Sequence, residues 1–259
     1  MQLNGRNALI TGAGSGIGRA MAVLAVERGM NVALVGRTET ALQGTVDQLR
    51  DPNLGHVLVG DITDKADRQR LREETGRLFG HLDLLINNAG VQVVGPIDQL
   101  GNDDMEKIVN TNLLAPMAIV RDMLDLLKAA SPSQIVNVGS MFGQIGFPLF
   151  SVYSASKFGL RGFSDALRRE LKDARIGVTY AAPRATATAA MEGSQHLAEP
   201  FGMTIDQPEM IARRILNGVE RDANVIFPGG MERVFVAVQG IFPSLIDRSI
   251  VSQLRKAIS

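Results

Sequence analysis

Tyr153 and Lys157 stand four residues apart in the stretch Ser151–Glu170, SVYSASKFGLRGFSDALRRE. At helical spacing they project from one face, one above the other. An ammonium beside a phenol favours the phenolate, so the tyrosine pKa is expected to fall from ~10 towards neutrality. Tyr153 is then a candidate proton donor and acceptor. A half-buried tyrosine and a solvated lysine that merely share a helix face would give the same spacing, so the weight lies with the rest of the chain. Tyr153, Phe158, Leu160, Phe163 and Leu167 supply the apolar positions of the helix, and Arg168 and Arg169 its basic last turn.

The elements that must position this pair read as alternating strands and helices. Asn7–Gly12 (NALITG) is a buried strand, followed by TGAGSGIG over Thr11–Gly18 and an amphipathic helix stopped at Gly29. A strand, a glycine-rich turn and a helix N-terminus make a phosphate cradle: the backbone can approach a diphosphate and the free N–H groups point at it. Gly12, Ser15, Gly16, Ile17 and Gly18 are the candidate contacts. The second strand, Asn31–Gly36, is followed by Arg37 and Thr38 and by no acidic residue. An acid there would bind the ribose 2′-OH of NAD, whereas arginine accommodates the 2′-phosphate of NADP. NADP is therefore favoured over NAD, with a solvent-facing Arg37 as the competing reading.

The third strand, Gly55–Gly60, ends at Asp61 and Ile62, where a carboxylate can accept from an adenine amino group or cap the next helix. The fourth, Leu82–Ile86, ends in Asn87, Asn88, Ala89 and Gly90, which suit a ribose. A long helix is expected from Asp103 to about Met123, with Asn112 needing a polar partner or a water. Strand five, Gln134–Val138, leads to Gly139 and Ser140, then to a glycine-rich aromatic loop and the Tyr153 helix. Strand six, Ile176–Ala182, precedes Pro183 and Arg184; Ala185–Met203 has the composition of a lid. A helix over Gln207–Val219 and a short strand over Asn224–Phe227 follow. The alternation, without linker or repeat, predicts one doubly wound α/β domain with a parallel sheet.

The chain has 259 residues, 45% hydrophobic, with 27 basic and 27 acidic side chains. A formal net charge of zero and no basic run argue against a nucleic-acid partner. Without cysteine, disulfides, thiolate catalysis and Cys-ligated metals are excluded. His56, His81 and His196 are too scattered for a histidine metal site. The chain enters its first strand without a signal-peptide pattern, and no apolar run approaches the ~20 residues of a membrane span, so a cytoplasmic protein is expected.

In this order the motifs resemble the short-chain dehydrogenase/reductase family, over about Asn4 to Pro228. The glycine loop matches at Gly12, Gly16 and Gly18, the adenine-binding aspartate at Asp61, and the NNAG turn at Asn87–Gly90. Asn112, Ser140, Tyr153 and Lys157 match the catalytic set. The resemblance implies a Rossmann sheet of seven parallel strands flanked by helices, and a homodimer or homotetramer. It implies hydride transfer between a nicotinamide and a carbonyl or alcohol carbon. Tyr153 would protonate the alkoxide, Lys157 would lower its pKa and hold the ribose, Ser140 would bind the substrate oxygen, and Asn112 would hold a water linked to Lys157. The family's Pro-Gly after strand six is Pro183-Arg184 here, with Thr188 at its threonine position. Arg184 is expected near the nicotinamide end, facing the diphosphate, an acidic substrate or solvent.

The domain therefore spans 1–228, with a lid at about 185–205 and an extension over 229–259. In the extension Leu245, Ile246, Ile250, Leu254 and Ile258 form one stripe. That stripe is expected to be covered by the pocket or a second subunit, less readily by a membrane. The expected activity is NADP(H)-dependent interconversion of a ketone or aldehyde with an alcohol. The alternatives are reduction of a 3-oxoacyl thioester on acyl carrier protein or CoA, and a non-catalytic NADP(H)-binding regulator, which would need none of the four catalytic side chains.

Overall fold

The computed structural model describes residues 1–188, 197–198 and 201–258. Strands and helices alternate as β1 Asn7–Thr11, α1 Gly16–Glu27, β2 Asn31–Gly36, α2 Glu39–Val46, β3 Gly55–Val59, α3 Lys65–Phe79 and β4 Leu84–Asn87. Then come α4 Asn102–Val109, α5 Ala115–Ala130, β5 Ser133–Val138, α6 Ser151–Glu170, β6 Ile176–Ala181, α7 Pro208–Glu220 and β7 Val225–Ile226. The seven strands form one parallel sheet in the order β3-β2-β1-β4-β5-β6-β7.

Side chains alternate across this sheet with the period of two that a strand imposes. Ala8 and Ile10 of β1 join a core with α1, α2 and α7, while Leu9 joins the opposite core with α3, α5 and α6. Both faces are covered, which is why the strands read as unbroken apolar runs. The chain reverses direction across the sheet between β1 and β4, so a crevice opens at their carboxyl ends, where the glycine turn and the NNAG turn meet.

Two boundaries differ from the expectation. Leu82 and Asp83 precede β4 instead of opening it. Asp83 is fully buried, and its carboxylate accepts from Arg6 Nη1 at 2.7 Å and from the Asn7 N–H at 2.8 Å, tying the start of β1 to β4. The long helix over Asp103–Met123 is broken by a π-helical turn at Asn110–Leu114, so α4 and α5 are separate. Asn112 sits inside that turn, and its buried bonds to a neighbouring turn reward the widened backbone.

The extension folds as two helices, α8 Gly230–Ile241 and α9 Pro243–Ile258, bent by 115° at the break. The expected single stripe divides. Ile246 and Ile250 face the crevice and Leu254 packs on its aromatic wall, whereas Leu245 is exposed. Leu245 lies about 100° round the helix from Ile246, so the two cannot share a face. The side chain of Ile258 and residues 189–196 and 199–200 of the lid lie outside the described residues. Among the described residues no single helix is long and apolar enough to cross a membrane.

Candidate active site

A cavity of about 1170 Å³ runs along the carboxyl ends of the strands, from Arg37 and Asp61 at one end to α8 and α9 at the other. Its cradle is the glycine turn. Gly12 has φ +67°, and a Cβ there would stand 2.9 Å from Ala89 Cα. A Cβ on Gly18 would meet the Gly12 carbonyl oxygen at 2.1 Å, so only glycine lets α1 start this close to β1. Ser15, the N-cap of α1, makes no side-chain cap bond, so the first N–H groups of the helix remain directed at the cavity that Ser15, Gly16 and Ile17 line. Thr11 Oγ1 accepts from the Asn88 and Ala89 N–H groups at 3.0 Å each, and Asn88 Nδ2 donates to the Thr11 and Gly12 carbonyls. The two turns are thus one rigid unit. Pro183 and Thr188 line the same cavity. The Pro183 carbonyl accepts from the Met141 N–H at 2.9 Å.

At the far end of the cradle, Arg37 stands 68% exposed, with its nearest carboxylate, Asp61, at 3.9 Å. Asp61 Oδ1 accepts from the Thr63 N–H and hydroxyl at 2.9 and 2.7 Å, and Asp64, not Asp61, caps α3. Ile62, buried against the sheet, completes this wall. These groups suit a dinucleotide: a glycine turn and open helix N-terminus for a diphosphate, an amide and small residues for a ribose, and a loosely held guanidinium beside the adenosine end.

Ser140, Tyr153 and Lys157 converge in the middle of the cavity. Ser140 follows β5 and lines the cavity with Tyr153, while its Oγ accepts from the Phe142 N–H at 3.1 Å. Lys157 is only 4% exposed; its Nζ lies 5.6 Å from the Tyr153 ring centre and donates to the Val138 carbonyl at 3.1 Å. Asn112 is fully buried. Its Oδ1 accepts from the Val91 N–H, and its Nδ2 donates to the Val91 carbonyl and to Ser156 Oγ. The Asn112 side chain ties the 88–91 turn to α6. Gly90 completes that turn between Asn112 and Lys157: a Cβ on it would lie 3.2 Å from Asn112 Oδ1 and 3.5 Å from Lys157 Nζ.

The expected fall of the tyrosine pKa is corrected. Burial pushes the Tyr153 phenol up, partly offset by its hydrogen bond with Ser140, and burial pushes Lys157 down to about 8. Desolvation by the surrounding walls penalises both charged forms, more completely for the buried lysine than for the half-buried tyrosine, and the ammonium lies over the Tyr153 ring, 5.6 Å from its centre. The phenol is therefore held as an acid.

Arg184 also departs from all three expectations. Its Nε and Nη2 donate to Asp206 at 2.9 Å each, and its Nη1 donates to Glu232 of α8 at 2.6 Å. The fork is filled by two carboxylates, so no free guanidinium is left for a diphosphate or an acidic substrate. Sequence reasoning could not find Asp206 and Glu232, because neither is near Arg184 in the chain. It also passed over Tyr180. This fully buried phenol takes the Ser140 N–H and donates to the Ser140 and Lys157 carbonyls at 3.2 and 3.3 Å. Gly139 and Gly143 make room for it, since a Cβ on either would fall within 2.2 Å of the Tyr180 side chain. A tyrosine among the small residues of TYAAP was the available signal.

Residues 6–198 match the family model described as short chain dehydrogenase. The chain is 30% identical over 248 residues to the uncharacterized oxidoreductase YxnA of Bacillus subtilis, covering 93% of this chain and 70% of that protein. It is 26% identical to the ketoacyl reductase HetN of a Nostoc species, covering 95% and 88%. A solved short chain dehydrogenase/reductase from Burkholderia phymatum in complex with NAD has the same fold, with a TM-score of 0.86 at 24% identity, covering 95% of this chain and 96% of that one.

The lysine generates a stability prediction with a definite sign. Its pKa is about 8 here, against 10.5 ordinarily. Below pH 8 the folded protein carries the full cost of burying the ammonium. Above that, the folded form loses its proton first and the cost fades, vanishing as the unfolded chain deprotonates too. Lys157→Met should therefore raise unfolding stability at pH 7 by roughly 1–3 kcal/mol, after the lost Val138 bond is counted. Denaturant unfolding at pH 7 and at pH 10.5 should show the gain at the first and little or none at the second.

Proposed function

The chain belongs to the short-chain dehydrogenase/reductase family, NAD(P)-dependent oxidoreductases acting on CH–OH groups, and on that premise we propose that it is an NADP(H)-dependent carbonyl reductase or alcohol dehydrogenase. The observation that carries this reading is the convergence of Ser140 and Tyr153 on one cavity wall with the Lys157 ammonium buried behind them. When bound, the dihydronicotinamide supplies the hydride.

The chain's own groups do the rest. The carbonyl oxygen of the substrate sits between the Ser140 hydroxyl and the Tyr153 O–H, both aimed where negative charge develops. Tyr153, kept protonated by burial, gives its proton to that oxygen. The nearby Lys157 charge then favours the phenolate left behind, so the lysine assists most when the proton has gone. Asn112 and Tyr180 hold the 88–91 turn and the Ser140–Lys157 pair in register. In the oxidative direction the same groups run in reverse.

Gly12, Ser15, Gly16, Ile17 and Gly18 would hold the diphosphate; Asn88, Ala89 and Gly90, with Tyr153 and Lys157, the nicotinamide ribose; Asp61 and Ile62 the adenine; Pro183 and Thr188 the carboxamide end. Arg37 supports NADP over NAD, being the loosely paired cation that follows β2. Reduction of a 3-oxoacyl thioester is the second reading, favoured by the relative named ketoacyl reductase. A non-catalytic regulator is disfavoured, since the converged Ser140, Tyr153 and Lys157 would have no use in it.

Assembly as a homodimer or homotetramer belongs to the same proposal. The helices α8 and α9 expose Val234, Ile241, Phe242, Leu245 and Val251, apolar side chains that a second subunit would cover. Sedimentation at micromolar concentration should give a dimer or larger; a monomer throughout would remove this part of the proposal.

Tyr153→Phe keeps the ring packing on Phe142 and removes the proton. Turnover with ketones and NADPH should fall by several orders of magnitude while NADPH still binds; activity within tenfold of the parent would exclude Tyr153 as the acid. Arg37→Ala should weaken NADPH by roughly tenfold to a hundredfold, the worth of a charge-assisted phosphate contact, and leave NADH nearly unchanged. An equal loss for both cofactors in titration would rule out a 2′-phosphate contact.

A further inference from the structure

The extension is unusual in how it is held. No residue of α8 is buried, so the helix does not dock by an apolar face of its own. It is tied to the domain by an ion pair, and Arg233 lies over the Phe227 ring beside it. Arg184 grips Asp206, itself 2% exposed, through two bonds and reaches Glu232, in the first turn of α8, through a third. Asp206 is fixed in turn by its backbone: its N–H donates to Ala185 and its carbonyl accepts from Ala187. The Arg184 latch therefore joins the end of β6, the segment before α7 and the start of α8 at one point.

Beyond the latch, Phe235 of α8 and Ile246, Ile250 and Gln253 of α9 form the cavity wall. They oppose the loop before α6, where the Phe142 and Phe147 rings stack at 4.8 Å and Phe147 meets Phe201 edge-on. Leu254 packs on this aromatic group. Of the described residues of α8 and α9, Glu232 is the one ionised group in the wall, and Arg184 is shared between it and Asp206, so the latch carries a net negative charge. A carboxylate or phosphate on the substrate would find no free cation on this wall and would face apolar surface.

We propose that α8 and α9 form a latched apolar wall over the substrate half of the cavity, and that the carbonyl substrate is an uncharged, extended apolar compound whose chain lies between α9 and the Phe142–Phe147 pair. This rests on the carbonyl-reductase reading. Arg184 and Glu232 are positioning residues: they place the wall and do not touch the reacting atoms.

A series of methyl ketones from butanone to dodecanone, assayed with NADPH, tests it. kcat/KM should climb by up to roughly fourfold per methylene, the value of a buried methylene, until the wall is filled. A ketone of equal length ending in a carboxylate should be at least tenfold poorer. Ile250→Asp should flatten the climb. Glu232→Ala should flatten it through KM and not kcat, and Glu232→Gln, which keeps a hydrogen bond to Arg184, should restore most of it. Binding of the uncharged dye Nile red is a second readout, independent of turnover: the parent should bind it, and Ile250→Asp should bind at least tenfold more weakly while titrating NADPH normally. A flat series, a preference for the carboxylate, or dye binding untouched by Ile250→Asp overturns the proposal. A parent that binds the dye through Ile250 but reduces no ketone keeps the apolar site and overturns the reductase reading alone.

Discussion

Lys157 Nζ lies almost entirely out of water and donates to the Val138 carbonyl. A buried ammonium is costly, and its bond to Val138 does not by itself offset that cost. What keeps it there is the packing of three elements round one point. Strand β5 delivers the Val138 carbonyl, α6 delivers the side chain, and the 88–91 turn closes the third side with Gly90, where a Cβ would press on Asn112 Oδ1 at 3.2 Å. Two further residues stiffen this junction. Asn112, from the π-turn, binds both polar backbone groups of Val91, and Tyr180 bridges the backbones of Ser140 and Lys157. The site thus holds a destabilising charge by surrounding it with committed hydrogen bonds, a trade of stability for reactivity.

Tyr153, half-buried beside it, feels the same desolvation with the opposite consequence. Desolvation disfavours its charged form as it does that of the lysine, so the phenol stays an acid and the ammonium becomes easier to discharge. Proximity of a cation is therefore not enough to predict a depressed tyrosine pKa. The ammonium must approach the oxygen rather than the ring, and the dielectric between them decides how much the approach is worth.

The extension illustrates a different balance. Its inner face is apolar and adds to the cavity, yet its attachment includes an ion pair, Arg184 with Asp206 and Glu232. Part-buried bonds of this kind are directional, so they fix where α8 starts without requiring a large buried area. An arginine where the related pattern has glycine fits this use: a glycine there could not reach either carboxylate.

The chain's local patterns determined a great deal. Apolar runs separated by amphipathic helices specify alternating strands and helices, because burial on both faces of a parallel sheet demands them. The glycine spacing of TGAGSGIG specifies a turn that only glycine can close, and the four-residue spacing of Tyr153 and Lys157 specifies a shared helix face. These are short-range consequences of backbone geometry, so they survive without knowledge of the fold. The π-turn at Asn110–Leu114 was not legible, since its reward is a long-range pair of bonds to Val91. The partners of Arg184 were not legible either, because Asp206 and Glu232 are brought to it across 22 and 48 residues of chain. Nor was the direction of the Tyr153 shift, which depends on how much water the assembled walls exclude. Only the tertiary structure decides quantities of that kind, because burial and electrostatic neighbourhood are properties of what meets in space and not of what is adjacent in sequence.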